Sequence, residues 1–199
     1  MRLTDHVYLV GGGDAGFGLS GRLDANCYIV DTGAGLWLFD VGFDAGDRVL
    51  ANVRAEGLDP ADITHVFLTH NHADHSGAAA SIRATLESAD GSSPTFAIAA
   101  ELATQLGNGD SVANGFEWAQ RVGFYPTGSE LRACRVDLEL TDGLRIAAGH
   151  AEVTAVATPG HCRGHFSFLV TGIGQPSLIA GDQVFWNGRI LLQNLPDVD

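Results

Sequence analysis

Residues Thr69 to Gly77 read Thr-His-Asn-His-Ala-Asp-His-Ser-Gly, so three histidines and a carboxylate fall within positions 70 to 75. A neutral imidazole nitrogen is a good ligand for zinc or iron, and a carboxylate is a harder donor. His70, His72, Asp74 and His75 could therefore hold one or two divalent ions. The spacing bears on this. Residues two apart lie on one side of an extended backbone, so His70 and His72 can reach one point, whereas on a helix they diverge. The competing reading makes Asp74 an N-cap and the histidines exposed loop residues. The concentration of histidine argues against it, since half of the chain's eight histidines lie at 65–75. A second loop runs Thr158-Pro159-Gly160-His161-Cys162-Arg163-Gly164-His165, and its Pro-Gly turn can aim His161 inward. Nothing in the sequence marks Cys162 as activated, so it reads as a partly buried thiol. Arg163 reads as a surface residue, or as one that meets a substrate anion.

Both loops need strands to present them. The apolar run His65–Leu68 delivers the first, with a helix over Ala78–Glu87 behind it, and Val153–Ala157 delivers the second. Further strands are expected at Val7–Val10, Asn26–Asp31, Leu36–Asp40, Thr95–Ala99, Arg135–Leu140, Leu144–Ala147, Phe166–Val170 and Ser177–Ala180. Helices are expected over Ala45–Glu56, stopped by Gly57, and near Glu101–Leu106. Asp40, closing its strand, either caps a loop or orients a liganding histidine through the ring N–H. Gly11-x-Gly13-x-x-Gly16 nominally matches a dinucleotide fingerprint. No long amphipathic helix follows it, and a loop beside the metal residues is the favoured reading. The least periodic stretch, Gly107–Glu130, carries Phe116, Trp118, Phe124 and Tyr125, and reads as a lid, a dimer surface or core packing.

The chain of 199 residues fits a single domain over 1–199, with 45% hydrophobic and 18% charged residues, as in globular proteins. Its formal charge of −13 sets 24 acids against 11 basic residues, all of them arginine. Such a surface repels phosphate, which disfavours nucleic acid and anionic membrane as partners. No apolar run approaches the roughly 20 residues of a membrane span. The start has no signal-peptide layout, and the three cysteines are odd in number with no Cys-x-x-Cys pair, so a cytoplasmic location is expected.

His-x-His-x-Asp-His after an apolar strand resembles the signature of the metallo-β-lactamase superfamily. Asn26-Cys27-Tyr28-Ile29-Val30, Leu38-Phe39-Asp40-Val41-Gly42, Thr158-Pro159-Gly160-His161 and Ala180-Gly181-Asp182 match in the same order, so the resemblance runs from about Val7 to Asp182. It implies an α/β fold, a four-layer αβ/βα sandwich. It also implies that His70, His72 and His161 form a three-histidine site, that Asp74 and His75 serve a second site, and that Asp182 bridges the two. The implied cofactor is Zn²⁺, one or two ions, with iron as the other candidate. His165 matches a position where relatives vary and reads as a hydrogen-bonding or structural residue. Family members usually supply a further histidine some tens of residues after the position of Asp182, and residues 183–199 contain none. The expectation is a C-terminally short domain without its last strand and helix, whose second site is weak.

The function implied is that of a metal-dependent hydrolase, in which a metal-bound hydroxide cleaves an ester-like bond (a thioester or lactone) of a small molecule, with Asp74 as the catalytic carboxylate. The overall pattern is similar to the glyoxalase-II-like and lactonase-like members, although the helical substrate domain of glyoxalase II has no room here. The alternatives are a mononuclear iron oxidoreductase of the persulfide-dioxygenase type, using His70, His72 and Asp182, and an inactive metal-binding scaffold. An uncovered sheet edge would favour a homo-oligomer.

Overall fold

Short runs of β-branched and aromatic residues become strands, and the computed structural model, which describes residues 1–87 and 92–184, arranges them in two sheets. The first contains β1 (Val7–Gly11), β2 (Cys27–Asp31), β3 (Leu36–Phe39), β4 (Ile63–Phe67), β5 (Thr95–Ala99) and β6 (Leu138–Leu140), in that order. The pairs β1–β2 and β2–β3 are antiparallel, and β3 to β6 run parallel. Every residue of β1 and β3 is buried, as a sheet covered on both faces requires.

The helices are α1 (Gly46–Ala55), α2 (Ala73–Ser76), α3 (Ala79–Leu86), α4 (Ala100–Asn108) and α5 (Phe116–Arg121). Helix α1 buries Val49, Leu50 and Val53 and packs on β1 and α3, while α4 packs on β5 and β6. The second sheet, in the order β10-β9-β8-β7, contains β7 (Arg145–Ala148), β8 (Ala151–Ala157), β9 (Phe166–Thr171) and β10 (Ser177–Ile179), all antiparallel. Burial alternates along β8, so this sheet turns one face to the core. The sheets meet through Phe168 of β9, whose ring lies 5.3 Å from Phe39 and 5.4 Å from Phe67. On the opposite face the cross-strand partners Leu169 and Leu178 are exposed.

The α/β fold is as expected. Of the four layers of an αβ/βα sandwich, the described residues form helices, sheet and sheet, with no helix over the outer face of the second sheet. The expectation about the last strand and helix falls on residues 185–199, outside those described. Three local differences have physical reasons. The strand expected from Arg135 forms only at Leu138, because Asp137 turns its carboxylate to Arg83 and to the Phe96 N–H. Helix α4 continues two residues beyond Leu106 and stops at Gly109, which adopts φ 64°. The aperiodic stretch contains α5, whose Phe116 is buried with Phe43 and Tyr125.

The glycine-rich loop after β1 leads into an antiparallel partner rather than a helix. It is pinned by Asp24, which accepts hydrogen bonds from the Ser20 hydroxyl (2.5 Å), the Gly21 N–H (2.7 Å) and the Phe43 N–H (2.8 Å). The Ala25 N–H also donates to the Asp74 carbonyl at 3.0 Å, which sets the loop against the histidine motif.

Candidate metal centre

Parallel pairing of β3 with β4 sets Phe39 opposite Phe67, so the two chain exits, Asp40 and Thr69, emerge side by side. Asp40 has φ 54°, a left-handed conformation that costs an ordinary residue about 1–2 kcal/mol. Its buried carboxylate holds it there by accepting from the Thr69 N–H (2.8 Å), the Thr69 hydroxyl (2.9 Å) and His75 Nδ1 (2.8 Å). A carboxylate only accepts, so His75 carries a proton on Nδ1 and turns Nε2 into the centre. The same reasoning fixes His70. The Thr69 hydroxyl gives its proton to Asp40 and therefore accepts from His70 Nδ1 at 2.9 Å, leaving the Nε2 lone pair of His70 free.

The backbone changes character inside the motif. His72 is extended, with ψ 147°, and α2 begins at the next residue. His70 and His72 therefore lie on extended chain, whereas Asp74 and His75 project from the first turn of a helix. His70 Nε2 is 2.9 Å from His72 Nδ1, which is itself 2.9 Å from His161 Nε2. One N–H can bridge one such pair, but it cannot satisfy three converging nitrogens. A cation that accepts all three lone pairs can.

Burial, reinforced by neighbouring histidines, holds His70 well below the usual histidine range and pushes His72 down to about 4. Burial lowers His161 too. All three are neutral donors. Around His75 burial also disfavours charge, but the carboxylates of Asp74 and Asp40 outweigh it and raise its pKa. That surplus of negative charge suits a divalent ion.

His161 comes from the loop between β8 and β9, and that loop is fastened to the first one. The Phe166 N–H donates to the Thr69 carbonyl at 2.8 Å, and the Thr158 N–H donates to the His165 carbonyl at 2.9 Å. His165 is fully buried. Its Nδ1 meets the Thr158 hydroxyl at 2.9 Å, and its Nε2 accepts the Asp182 N–H at 3.1 Å, so it positions Asp182 rather than joining the three nitrogens. Gly181 has φ 51°, and a Cβ there would lie 2.6 Å from His165 Nε2, so the turn that delivers Asp182 requires glycine. Asp182 Oδ1 lies 3.1 Å from His75 Nε2, and its Oδ2 lies 3.4 Å from His161 Nε2. One carboxylate thus reaches from the three-histidine cluster to His75. Burial would raise the Asp182 pKa, but His75 and the other histidines hold it at about 2.

Asp74 stands at the edge of this group, with Oδ2 3.6 Å from His75 Nε2. That nitrogen is buried and forms no aligned hydrogen bond to either acid. Asp74 Oδ1 accepts the Tyr125 hydroxyl proton at 2.8 Å, and the Asp74 N–H donates back to the Tyr125 oxygen at 3.2 Å.

Sequence reasoning missed two participants here. Tyr125 is 51 positions from Asp74, and its only signal was an aromatic residue in an aperiodic segment. Cys162 read as a bystander thiol, yet it groups with His70, His72 and His161, all four ligand atoms lying within 4.8 Å of one another. Arrayed this way, His70, His72, His161 and Cys162 form one group of donors that could hold a divalent ion, and His70, His75 and Asp182 form another.

The chain is similar to proteins of known family. The chain is 26% identical over 195 residues to a lactamase-like protein of Aspergillus niger, covering 98% of this chain and 49% of that protein. It is 29% identical over 126 residues to a hydroxyacylglutathione hydrolase of Rhodospirillum rubrum, covering 63% of this chain and 36% of the relative. The chain therefore spans about half the length, or less, of these curated relatives.

A metallo-beta-lactamase of Legionella gormanii superposes with a TM-score of 0.71 at 22% identity, over 98% of this chain and 67% of that one. One from Cronobacter sakazakii superposes with a TM-score of 0.69 at 22% identity, over 89% and 62%. At these identities the structures speak for the fold alone. The family profile of the metallo-beta-lactamase superfamily matches residues 20–194, nearly the whole chain, and with the shared fold it establishes that this chain belongs to that superfamily.

Proposed function

We propose that this chain is a zinc-dependent hydrolase that cleaves a thioester or lactone of a small molecule. The observation that carries the reading is the convergence of His70 Nε2, His72 Nδ1 and His161 Nε2 beside a carboxylate, Asp182, that also reaches His75. In this reading His70, His72 and His161 would hold one ion, His75 and Asp74 would serve a second, and Asp182 would be available to both. A divalent ion held there supplies Lewis acidity, making water a nucleophile near neutral pH and polarising the substrate carbonyl. The chain's own residues do the rest. Asp40 and Thr69 hold the Nδ1 edges of His75 and His70, so that each ring turns its Nε2 inward. His165 holds the Asp182 backbone in place. Asp74 Oδ1 is tied to Tyr125, which leaves Oδ2 to take the proton of the attacking water and return it to the leaving group.

A cleft of about 420 Å³ is lined by Arg22, Leu23, Phe43, Asp44, Phe124 and Tyr125, and the Tyr125 hydroxyl connects it to Asp74. Its size and its aromatic faces, with one arginine and one aspartate at the lining, suit a small acyl or lactone substrate. Hydroxyacylglutathione hydrolase is the name of relatives in both Rhodospirillum rubrum and Dechloromonas aromatica, which supports the thioester side of the reading.

Elemental analysis of the purified chain, combined with a panel of thioesters and lactones, tests it. Zinc together with turnover of one class is the expected result. Bound iron with oxygen consumption would replace this reading by the dioxygenase one. Full zinc occupancy without turnover of any panel member would leave a metal-binding scaffold.

A further inference from the structure

The thiol of Cys162 has no part in the mechanism above, yet it is placed among donors. Its Sγ shares a 4.8 Å group with the ligand nitrogens of His70, His72 and His161, three imidazoles that burial keeps neutral and whose nitrogens converge. The chain's other two thiols lie elsewhere. Cys27 is fully buried in the core, with Sγ directed at the Ala25 carbonyl, and Cys134 is buried against the Arg135 carbonyl. Cys162 is half-buried, in the turn that also delivers His161.

From this placement we infer that Cys162 supplies a thiolate donor to the ion held by His70, His72 and His161, completing a three-histidine, one-cysteine set. The inference rests on the metal-binding reading of those histidines. On ligation the S–H bond breaks, a sulfur–metal bond forms, and the proton leaves to solvent. Three nitrogens and one sulfur make a full tetrahedral set for zinc, cobalt or cadmium. Sulfur also shifts the preference of the site towards these borderline and soft ions and away from magnesium and manganese. A closed set of this kind is a resting form. The thiolate must give way before water and substrate can reach the ion, so the chain carries its own protecting ligand.

Cobalt(II) loading of the full chain reads this out without reference to activity. Cobalt bound by nitrogen and oxygen alone has no near-ultraviolet thiolate-to-metal charge-transfer band, whereas a cobalt–thiolate bond produces one. The expected result is such a band at one cobalt per chain, lost in Cys162→Ser and retained in Cys27→Ala and Cys134→Ala. A band that survives in Cys162→Ser assigns it to another thiol and overturns the inference. Full cobalt binding with no band overturns this inference alone, whereas no cobalt binding overturns it together with the metal-centre reading. Should Cys162→Ser fail to fold, alkylation of the wild-type thiols followed by peptide mass analysis decides. Protection of Cys162 by zinc supports ligation, and alkylation at an unchanged rate refutes it.

Discussion

Asp74 is the residue on which the proposed chemistry is most exposed to test, because its two carboxylate oxygens have separate tasks. Oδ1 is anchored by Tyr125 and Oδ2 faces the ligand group. Asp74→Asn keeps the size and the Tyr125 contact but removes the proton acceptor. Turnover should fall on the order of hundredfold or more while the three-histidine site still binds zinc, as kcat measured beside metal content will show. Tyr125→Phe isolates the anchor. Its ring stacks 4.9 Å from Phe43, so the variant keeps the packing and loses only the hydroxyl. A loss on the order of tenfold in kcat with little change in KM is expected, and an unchanged kcat would reduce Tyr125 to a packing residue. At this scale the legibility of the sequence was uneven. The histidines of the 70–75 motif stood out because imidazole is rare and their spacing had only one geometric sense. Thr69 and Tyr125 were invisible, since a hydroxyl that fixes a tautomer, or an anchor 51 residues away, leaves no periodic trace.

Elements were readable where hydrophobic runs were short and bounded by glycine or proline, as at β8 between Gly149 and Pro159, and unreadable where order comes from side chains meeting across the fold. Asp137 shows the second case. Arg83 of α3 donates to Asp137, to the Arg135 carbonyl (2.7 Å) and to the Ser93 hydroxyl (2.8 Å), and its guanidinium lies 4.2 Å over the Phe96 ring. Asp137 also accepts the Phe96 N–H at 3.0 Å and pairs with Arg135 at 2.9 Å, so one carboxylate ties α3 to β5 and to the lead-in of β6. Burial would raise its pKa, but the Arg83 hydrogen bond, the Phe96 N–H and the arginine charges lower it. A carboxyl depressed on folding contributes stability above its unfolded pKa, about 3.9, and that stability is lost as pH falls through the folded value. Asp137→Asn should cost about 1–3 kcal/mol at pH 7, seen as a lower urea midpoint. The difference from the parent should shrink as pH falls below the unfolded carboxyl value and through the lower folded one. An equal difference at pH 7 and in acid would show that the charge is not what matters.

The molecule is two sheets facing each other, and the candidate metal centre lies where their loops meet. His70 and His72 leave the first sheet through β4, and His161 leaves the second between β8 and β9, so the three nitrogens belong to different halves. Without an ion, the halves are joined near the centre by the Phe166 N–H to the Thr69 carbonyl and by the aromatic contact of Phe168 with Phe39 and Phe67. An ion ligated from both sides adds a bond that the unfolded chain lacks, and it therefore stabilises the fold by mass action. At free zinc a hundredfold above the dissociation constant this amounts to about 2.7 kcal/mol. For a domain of this size that is a rise in Tm of about 5–10 °C. Calorimetric scans with zinc and after chelation will measure it. His161→Ala, which removes the donor of the second sheet, should abolish most of the rise. His75→Ala should leave most of it, because the position around His75 has one imidazole against three and fills more weakly. A zinc-induced shift as large in His161→Ala as in the parent would mean that the ion is held by one half alone, and that the sheets do not close around it.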